Sequence, residues 1–362
     1  MKKVQMILVV GMVFCLPAFP QNLAVFSDNM DYFYVFDAGQ ITQLEYQKVK
    51  NFSVGGNCIL YKDSRSRLKM YYNGEVTELA VNEINDFIAL DYLAVYAYAG
   101  IIHIIENGRA KTINTHSLNY VAEDSVVAFY DDIQSYLAAY YRGRIYHLED
   151  GLIDYKPSSF RCGDNIIAYV SARTSDLMVF YQGGSYKLEP FVSEGSYKAG
   201  KDIVAYMNAA DQKFKVFYRG ETFVIEDFPP ISYKTGDGIV AYVDNTGRFK
   251  LFCNGEVIDI SSSEPGFYDV QNRIVVYEEQ GYFKTWYKDQ LYNIENYIPT
   301  KWKAQWNTIV YIDQNRNIRV FRDGENKVLT YDIVEDIALY RDVIVTDKGL
   351  NNHNVYYNGK KY

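Results

Sequence analysis

The chain has 362 residues, 45 acidic against 37 basic side chains, a net charge of −8, and 36 tyrosines with 20 phenylalanines. An acidic body repels phosphate backbones and anionic headgroups, which speaks against nucleic acid or an anionic membrane surface as partner. Of the four cysteines, Cys15 falls in an expected leader, and Cys58, Cys162 and Cys253 are odd in number and far apart, so they read as packing residues or free thiols.

Met1 to about Pro20 has the form of a secretory signal. Lys2 and Lys3 precede the apolar run MILVVGMVFCLPAF, which is too short to span a bilayer. Export is the expectation, with residues 21–362 forming one mature domain whose charge falls to about −10 without the two lysines. Ala18-Phe19-Pro20 meets the small-residue cleavage rule badly, and Val13-Phe14 before Cys15 argues against a lipoprotein signal. No second apolar stretch of membrane-spanning length follows.

From Leu23 onward the sequence repeats. GKDIVAYMNAADQKFKVFYRGETFVIEDFPPISYKT is followed by GDGIVAYVDNTGRFKLFCNGEVIDI, so that Ile203 recurs as Ile239, Tyr206 as Tyr242 and Gly220 as Gly255. A unit of about 35 residues marks a solenoid, propeller or array. Ten units align on the residue that closes the first apolar run: Phe26, Tyr61, Tyr96, Phe129, Tyr169, Tyr206, Tyr242, Tyr277, Tyr311 and, as the exception, Thr346. A turn glycine agrees independently at Gly39, Gly74, Gly108, Gly143, Gly183, Gly220, Gly255, Gly324 and Gly359, with Asp289 in its place in the eighth unit.

Each unit opens on an apolar run such as IVAYM, rich in β-branched and aromatic residues and expected to be a strand buried on both faces. A polar turn leads to an alternating strand, FKVFY or FKLFC, and then to an Arg-Gly or Asn-Gly hairpin turn. A third strand follows, TFVIE or EVIDI, then a loop and a run such as ISYKTG, a candidate fourth strand of the unit. So small a sheet must stack on neighbours to cover its apolar faces, and a closed ring removes the bare ends. The expected fold is all-β, a β-propeller of about ten three- to four-stranded antiparallel blades. Ten exceeds the usual four to eight. It implies a wide central channel, unless units and blades do not correspond one to one, and neither end of the array offers a strand to complete the other.

The recurrent aromatic reads as inter-blade packing rather than as a ligand ladder. The polar residues just past it (Asp28, Asp63, Asp131, Asn208, Asp244, Glu278, Asp313 and Asp347) either line one rim of the ring or form turns. No Asp-x-Asp-x-Asp-Gly loop, nucleophile elbow or phosphate loop is present, and His103, His116, His147 and His353 show neither His-x-x-x-His spacing nor a His with paired cysteines. No catalytic residue, metal site or cofactor is therefore assigned. Two binding candidates remain. Trp302 and Trp306 in YIPTKWKAQW share one face if the run is a strand, and form either an aromatic platform or a wedge between blades. Phe228, Pro229 and Pro230 form a rigid exposed connector suited to a partner. Trp286 reads as core.

The IVAYVDNTGRFKLFCNGEVIDI-type repeats, the opening QNLAVFSDNMDYFYVFDAG and the overall size resemble secreted, Tyr-rich propellers of Bacteroidota, above all the periplasmic plug family of the type 9 secretion translocon. That resemblance implies a periplasmic disc that occludes the mouth of a very large outer-membrane β-barrel, and it transfers no individual functional residue. A compact chain of this length has a radius of gyration of roughly 20 Å, and a flattened disc of it would be about 50 Å across, comparable with the mouths of the largest barrels. The expectation is a non-catalytic, protein-binding envelope propeller. The alternative is a secreted glycan-binding or glycan-processing propeller.

Overall fold

The computed structural model describes residues 22–362 apart from 82–83, 85, 118, 152–159, 191 and 194; the expected leader, 1–20, lies outside the described residues. Ten antiparallel sheets follow one another in chain order, one per repeat, nine of four strands and the first of three among the described residues. The ten-bladed all-β architecture expected from the repeat is thus the fold. No helix among the described residues is long and apolar enough to cross a membrane.

The uninterrupted apolar runs follow from the stacking. In blade six, the strand Ile203–Met207 sends Val204 and Tyr206 to blade five, where they meet Ile166, Ala168, Leu177 and Val179. Ile203 and Ala205 face the other way, towards Val240 and Tyr242 of blade seven. Period-2 alternation therefore points to two cores instead of a core and solvent, and both sets must be apolar. The ladder residues Tyr61, Phe129, Tyr169, Tyr206, Tyr242, Tyr277 and Tyr311 are all buried, as is Trp286.

One strand belongs to a different blade from the one expected. Ser232–Thr235, the core of ISYKTG, pairs with Ile239–Val243, so it opens blade seven and does not close blade six. Blade six ends with Glu221–Glu226, after which residues 227–231 carry the chain from the outer edge to the axis. Pro229 and Pro230, which lack N–H groups, lie within this connector and keep it out of the sheet. The same order holds in all nine four-stranded blades: a short inner strand, the apolar second strand, the third strand, and an exposed outer strand.

Among the described residues the ring closes without a strand passing between blades one and ten. Ala24 and Phe36 of blade one pack on Val343, Val345 and Val355 of blade ten. The Phe36 ring meets Tyr357 and Tyr362 at 5.6 and 5.1 Å, and Asn22 Nδ2 donates to Tyr357 Oη at 2.9 Å. Each hairpin between third and outer strand has two successive residues at positive φ, from Ala38-Gly39 to Asn358-Gly359, as a type I′ turn requires. In blade eight that pair is Lys288 and Asp289, at φ 49° and 60°.

Polar contacts recur with the blades. Tyr242 Oη donates to Glu226 Oε1 of the preceding blade at 2.9 Å, and Lys250 Nζ reaches the same oxygen at 2.7 Å and Asp244 at 2.9 Å. Tyr61, Glu45, Lys69 and Asp63 repeat the arrangement, and Tyr311 and Arg319 likewise meet Glu295 of the preceding blade. The acids past the ladder are turn formers: Asp63, Asp244 and Asp313 each accept backbone N–H groups two and four residues on. Burial opposes ionisation of Asp244, but bonds from Lys250, Thr246 and Arg248 hold its carboxyl below the usual range.

Candidate functional site

The turns between inner and second strands converge on the axis at one end of the ring. Blade two contributes Gly55-Gly56, and blades three to ten contribute Asp91, Asp124, Asp164, Lys201, Asp237, Asn272, Trp306 and Arg341. Neighbouring tips are joined hand to hand. Gly56 N donates to Leu90 O at 3.1 Å, Asp91 N to Asp124 Oδ1 at 2.9 Å, and Ser125 N and Oγ to Asp164 O at 2.8 and 2.6 Å. Asp202 N donates to Asn165 Oδ1 at 2.8 Å, Gly238 N to Lys201 O at 2.8 Å, and Asp237 N to Asn272 O at 2.7 Å. Trp306 N donates to Asn272 Oδ1 at 3.0 Å, and Arg341 N to Gln305 Oε1 at 2.9 Å. The series runs without a break from blade two to blade ten.

Arg341 then closes the series. Its Nε donates to Asp91 Oδ1 at 3.0 Å and its Nη2 pairs with Asp91 Oδ2, joining blade ten to blade three across 250 positions of sequence. Blade two does not obstruct this reach, because its tip is two glycines; a Cβ on Gly56 would stand 2.7 Å from Asp91 O. The wide open channel expected of ten blades is bridged at this mouth. Inner strands also approach closely elsewhere, since a Cβ on Gly200 would lie 2.2 Å from Gly236 O of the next blade.

The girdle is electrically uneven. The Arg341 guanidinium lies 5.0 Å from the Trp306 ring centre and the Lys201 ammonium 6.0 Å from it. Burial, then the charges of Asp124 and Asp237, push the Asp164 carboxyl well above the usual range, with Lys201 only partly offsetting them. Burial and Asp91 raise Asp124, and burial with Asp124 pushes Glu123 up to about 7. Burial works against the Lys201 ammonium, but Asp164 and Asp237 hold its proton more firmly than usual. Among the described residues no three His, Cys, Asp or Glu side chains are arranged to hold a metal ion.

The structure brings both candidate tryptophans to the axis, though not as one face of a strand. Trp302 opens the inner strand Trp302–Gln305 of blade nine and packs on Phe267 and Phe283 of blade eight, at 6.0 and 5.6 Å between ring centres. Trp306 falls just beyond that strand, in the turn, at φ 55°. With Asp91, Asp124 and Asp164 they line an axial cavity of about 650 Å³. Phe228, Pro229 and Pro230 are not brought to them. Their loop joins an outer strand to the next inner strand, which places it at the opposite end of the ring, where Phe228 is exposed beside Ile231.

The girdle itself was missed from the sequence, although a signal for it exists. Gly56, Asp91, Asp124, Asp164, Lys201, Asp237, Asn272, Trp306 and Arg341 each stand five residues before the ladder residue of their unit. Their chemistry varies from blade to blade, so a search for a repeated residue type passes over a repeated position.

A family profile described as a 10-bladed beta propeller domain matches residues 17–362. No curated protein matches the sequence. Among solved structures, the designed protein Ika8 is similar at 13% identity over 85% of this chain and 96% of its own, with a TM-score of 0.37. PorZ of Porphyromonas gingivalis, described as an essential bacterial surface component of the type-IX secretion system, is similar at 10% identity over 86% of this chain and 51% of its own, with a TM-score of 0.31. Prp20p of Saccharomyces cerevisiae is similar at 9% identity over 66% of this chain and 82% of its own, with a TM-score of 0.33. None of the three superposes closely enough for its activity to bear on this chain.

Proposed function

From the premise that this chain belongs to the family of ten-bladed β-propeller domains, we propose that it is a non-catalytic, exported protein that docks on a protein partner in the periplasm. The finer reading is that it seals or regulates the outer-membrane translocon of type 9 secretion. The observation that carries the proposal is the bridged mouth: a ring whose axial tips are joined from blade two to blade ten and tied across by Arg341 and Asp91 is built to obstruct. The opposite end offers exposed apolar loops, among them Phe228 with Pro229 and Pro230, as contact points. A propeller fold is consistent with such a protein-binding role.

The test is copurification. The full chain, tagged at its C-terminus and extracted from its native envelope in mild detergent, should bring down a very large outer-membrane barrel in near-equal amount. Recovery of the propeller alone, across several detergents and salt concentrations, would overturn the proposal.

One observation favours glycan binding as a second reading, namely the axial cavity lined by Trp302, Trp306 and three aspartates. Against it, Trp306 is already engaged by Arg341 and Lys201. Binding on a sugar array that is lost in Trp302→Ala would establish this reading.

A further inference from the structure

The girdle gathers more carboxyls than it has cations to pair them. Asp91, Asp124, Asp164 and Asp237 stand on the tips of blades three, four, five and seven, with Glu123 next to Asp124, and the tips oppose them with Lys201, Arg273 and Arg341, of which Arg273 acts on Asp237. Arg341 is committed to Asp91 through two nitrogens. Lys201 comes no closer than 3.8 Å to Asp164, and its field is divided among Asp164, Asp237 and Asp124, with Tyr92 also facing it.

The charged groups around each acid come from several blades. Asp164 faces Asp124 and Glu123 of blade four, Lys201 of blade six and Asp237 of blade seven. Asp124 faces Asp91, Lys201 and Arg341, while Asp237 faces Lys201, Arg273 and Asp202. Asp164 Oδ2 is buried and accepts no hydrogen bond among the described residues. Yet the backbone of this same residue is a joint of the girdle, since Ser125 N and Oγ both donate to Asp164 O.

We propose that the girdle is a proton-dependent latch, closed while Asp124 or Asp164 is protonated and loosened when both are ionised. Ionisation of the pair places like charges on adjoining tips with one lysine between them, and the joint formed by Ser125 and Asp164 is where the repulsion acts. Burial and the neighbouring acids keep both protons bound above the ordinary carboxylate range, which puts the change near neutrality instead of near pH 4. Trp306, between Arg341 and Lys201, is placed to report it. The inference deepens the occlusion reading by giving the closed mouth a control, and it rests on that reading only for its purpose.

The experiment uses the purified full chain alone, so its outcome is separate from that of the copurification. Tryptophan fluorescence is followed from pH 5 to pH 9, with far-UV circular dichroism to confirm that the blades stay folded. The wild type should show one reversible transition between about pH 6 and pH 8, absent in Trp306→Phe. Asp124→Asn and Asp164→Asn each hold one member of the pair neutral at every pH, so each should abolish the transition, whereas Asp227→Asn, at the far end of the ring, should leave it in place. No transition in the wild type, or a transition that persists in both Asp124→Asn and Asp164→Asn, would overturn the proposal. If Asp164→Asn does not fold, Asp124→Asn decides alone.

Discussion

Tyr242→Ala should destabilise the ring by about 4–7 kcal/mol. Tyr242 is fully buried between blades six and seven, and its ring meets Phe214 edge-on at 5.4 Å. Deleting a buried aromatic side chain costs about 3–5 kcal/mol through lost transfer energy and the cavity left behind. The hydroxyl adds a bond to a carboxylate, Glu226, at 2.9 Å. Tyr242→Phe isolates that bond and should cost about 1–2 kcal/mol, less than a full charged bond because Lys250 still satisfies Glu226. The assay is urea unfolding at 25 °C, followed by circular dichroism, of the wild type and both variants. Since a native domain holds only about 5–15 kcal/mol in all, the phenylalanine variant keeps the comparison measurable if the alanine variant unfolds. A Tyr242→Ala loss below about 1 kcal/mol would refute the wedge account. Equal losses in the two variants would place the energy in the hydroxyl instead of the ring.

Other positions give smaller or differently signed effects. Asp289→Gly supplies the residue found at the other nine turns of this kind, at φ 60°, and should raise stability by about 0.5–1 kcal/mol in the same unfolding assay. Gly200→Ala drives a Cβ to within 2.2 Å of Gly236 O and should cost about 1–3 kcal/mol or more, read as a lower urea midpoint. The pH dependence of the melting temperature should show a maximum at mildly acidic pH. Glu123, Asp124 and Asp164 have raised folded values, so the folded state holds protons the unfolded chain releases, and stability declines as pH rises from about 4 to about 8. Asp63 and Asp244 are held low despite burial, by bonds from Arg67 and Lys250 respectively, so their contribution disappears as pH falls below about 4.

The features legible in the sequence were those under the same physical demand in every blade. Tyr61, Tyr206 and Tyr242 recur because each fills the same gap between sheets, and Gly220 and Gly255 recur because each turn needs positive φ. Blade boundaries were less legible. Ser232–Thr235 is short and half-polar, and only its pairing with Ile239–Val243 says which sheet it joins. The two tryptophans were recognised as distinctive, but a shared strand face required the strand to reach Trp306, and it stops at Gln305. The girdle was hidden for another reason. A ring of identical charges would repel itself, so the tips must differ to pair, and Asp91 with Arg341, or Asp164 with Lys201, are complementary because they are unlike. Contacts across 250 residues leave no local trace.

One mouth of the ring is bridged by blades that are not neighbours, and a double-mutant cycle between Asp91 and Arg341 puts that bridge to the test. Asp91→Asn, Arg341→Met and the double variant would be compared by urea unfolding. Both side chains are largely buried, at 15% and 18% exposure, and two nitrogens engage two oxygens, so the coupling energy should be about 1.5–3 kcal/mol. Losses that add to within about 0.5 kcal/mol would mean that the two residues do not meet in solution and that the mouth stands open.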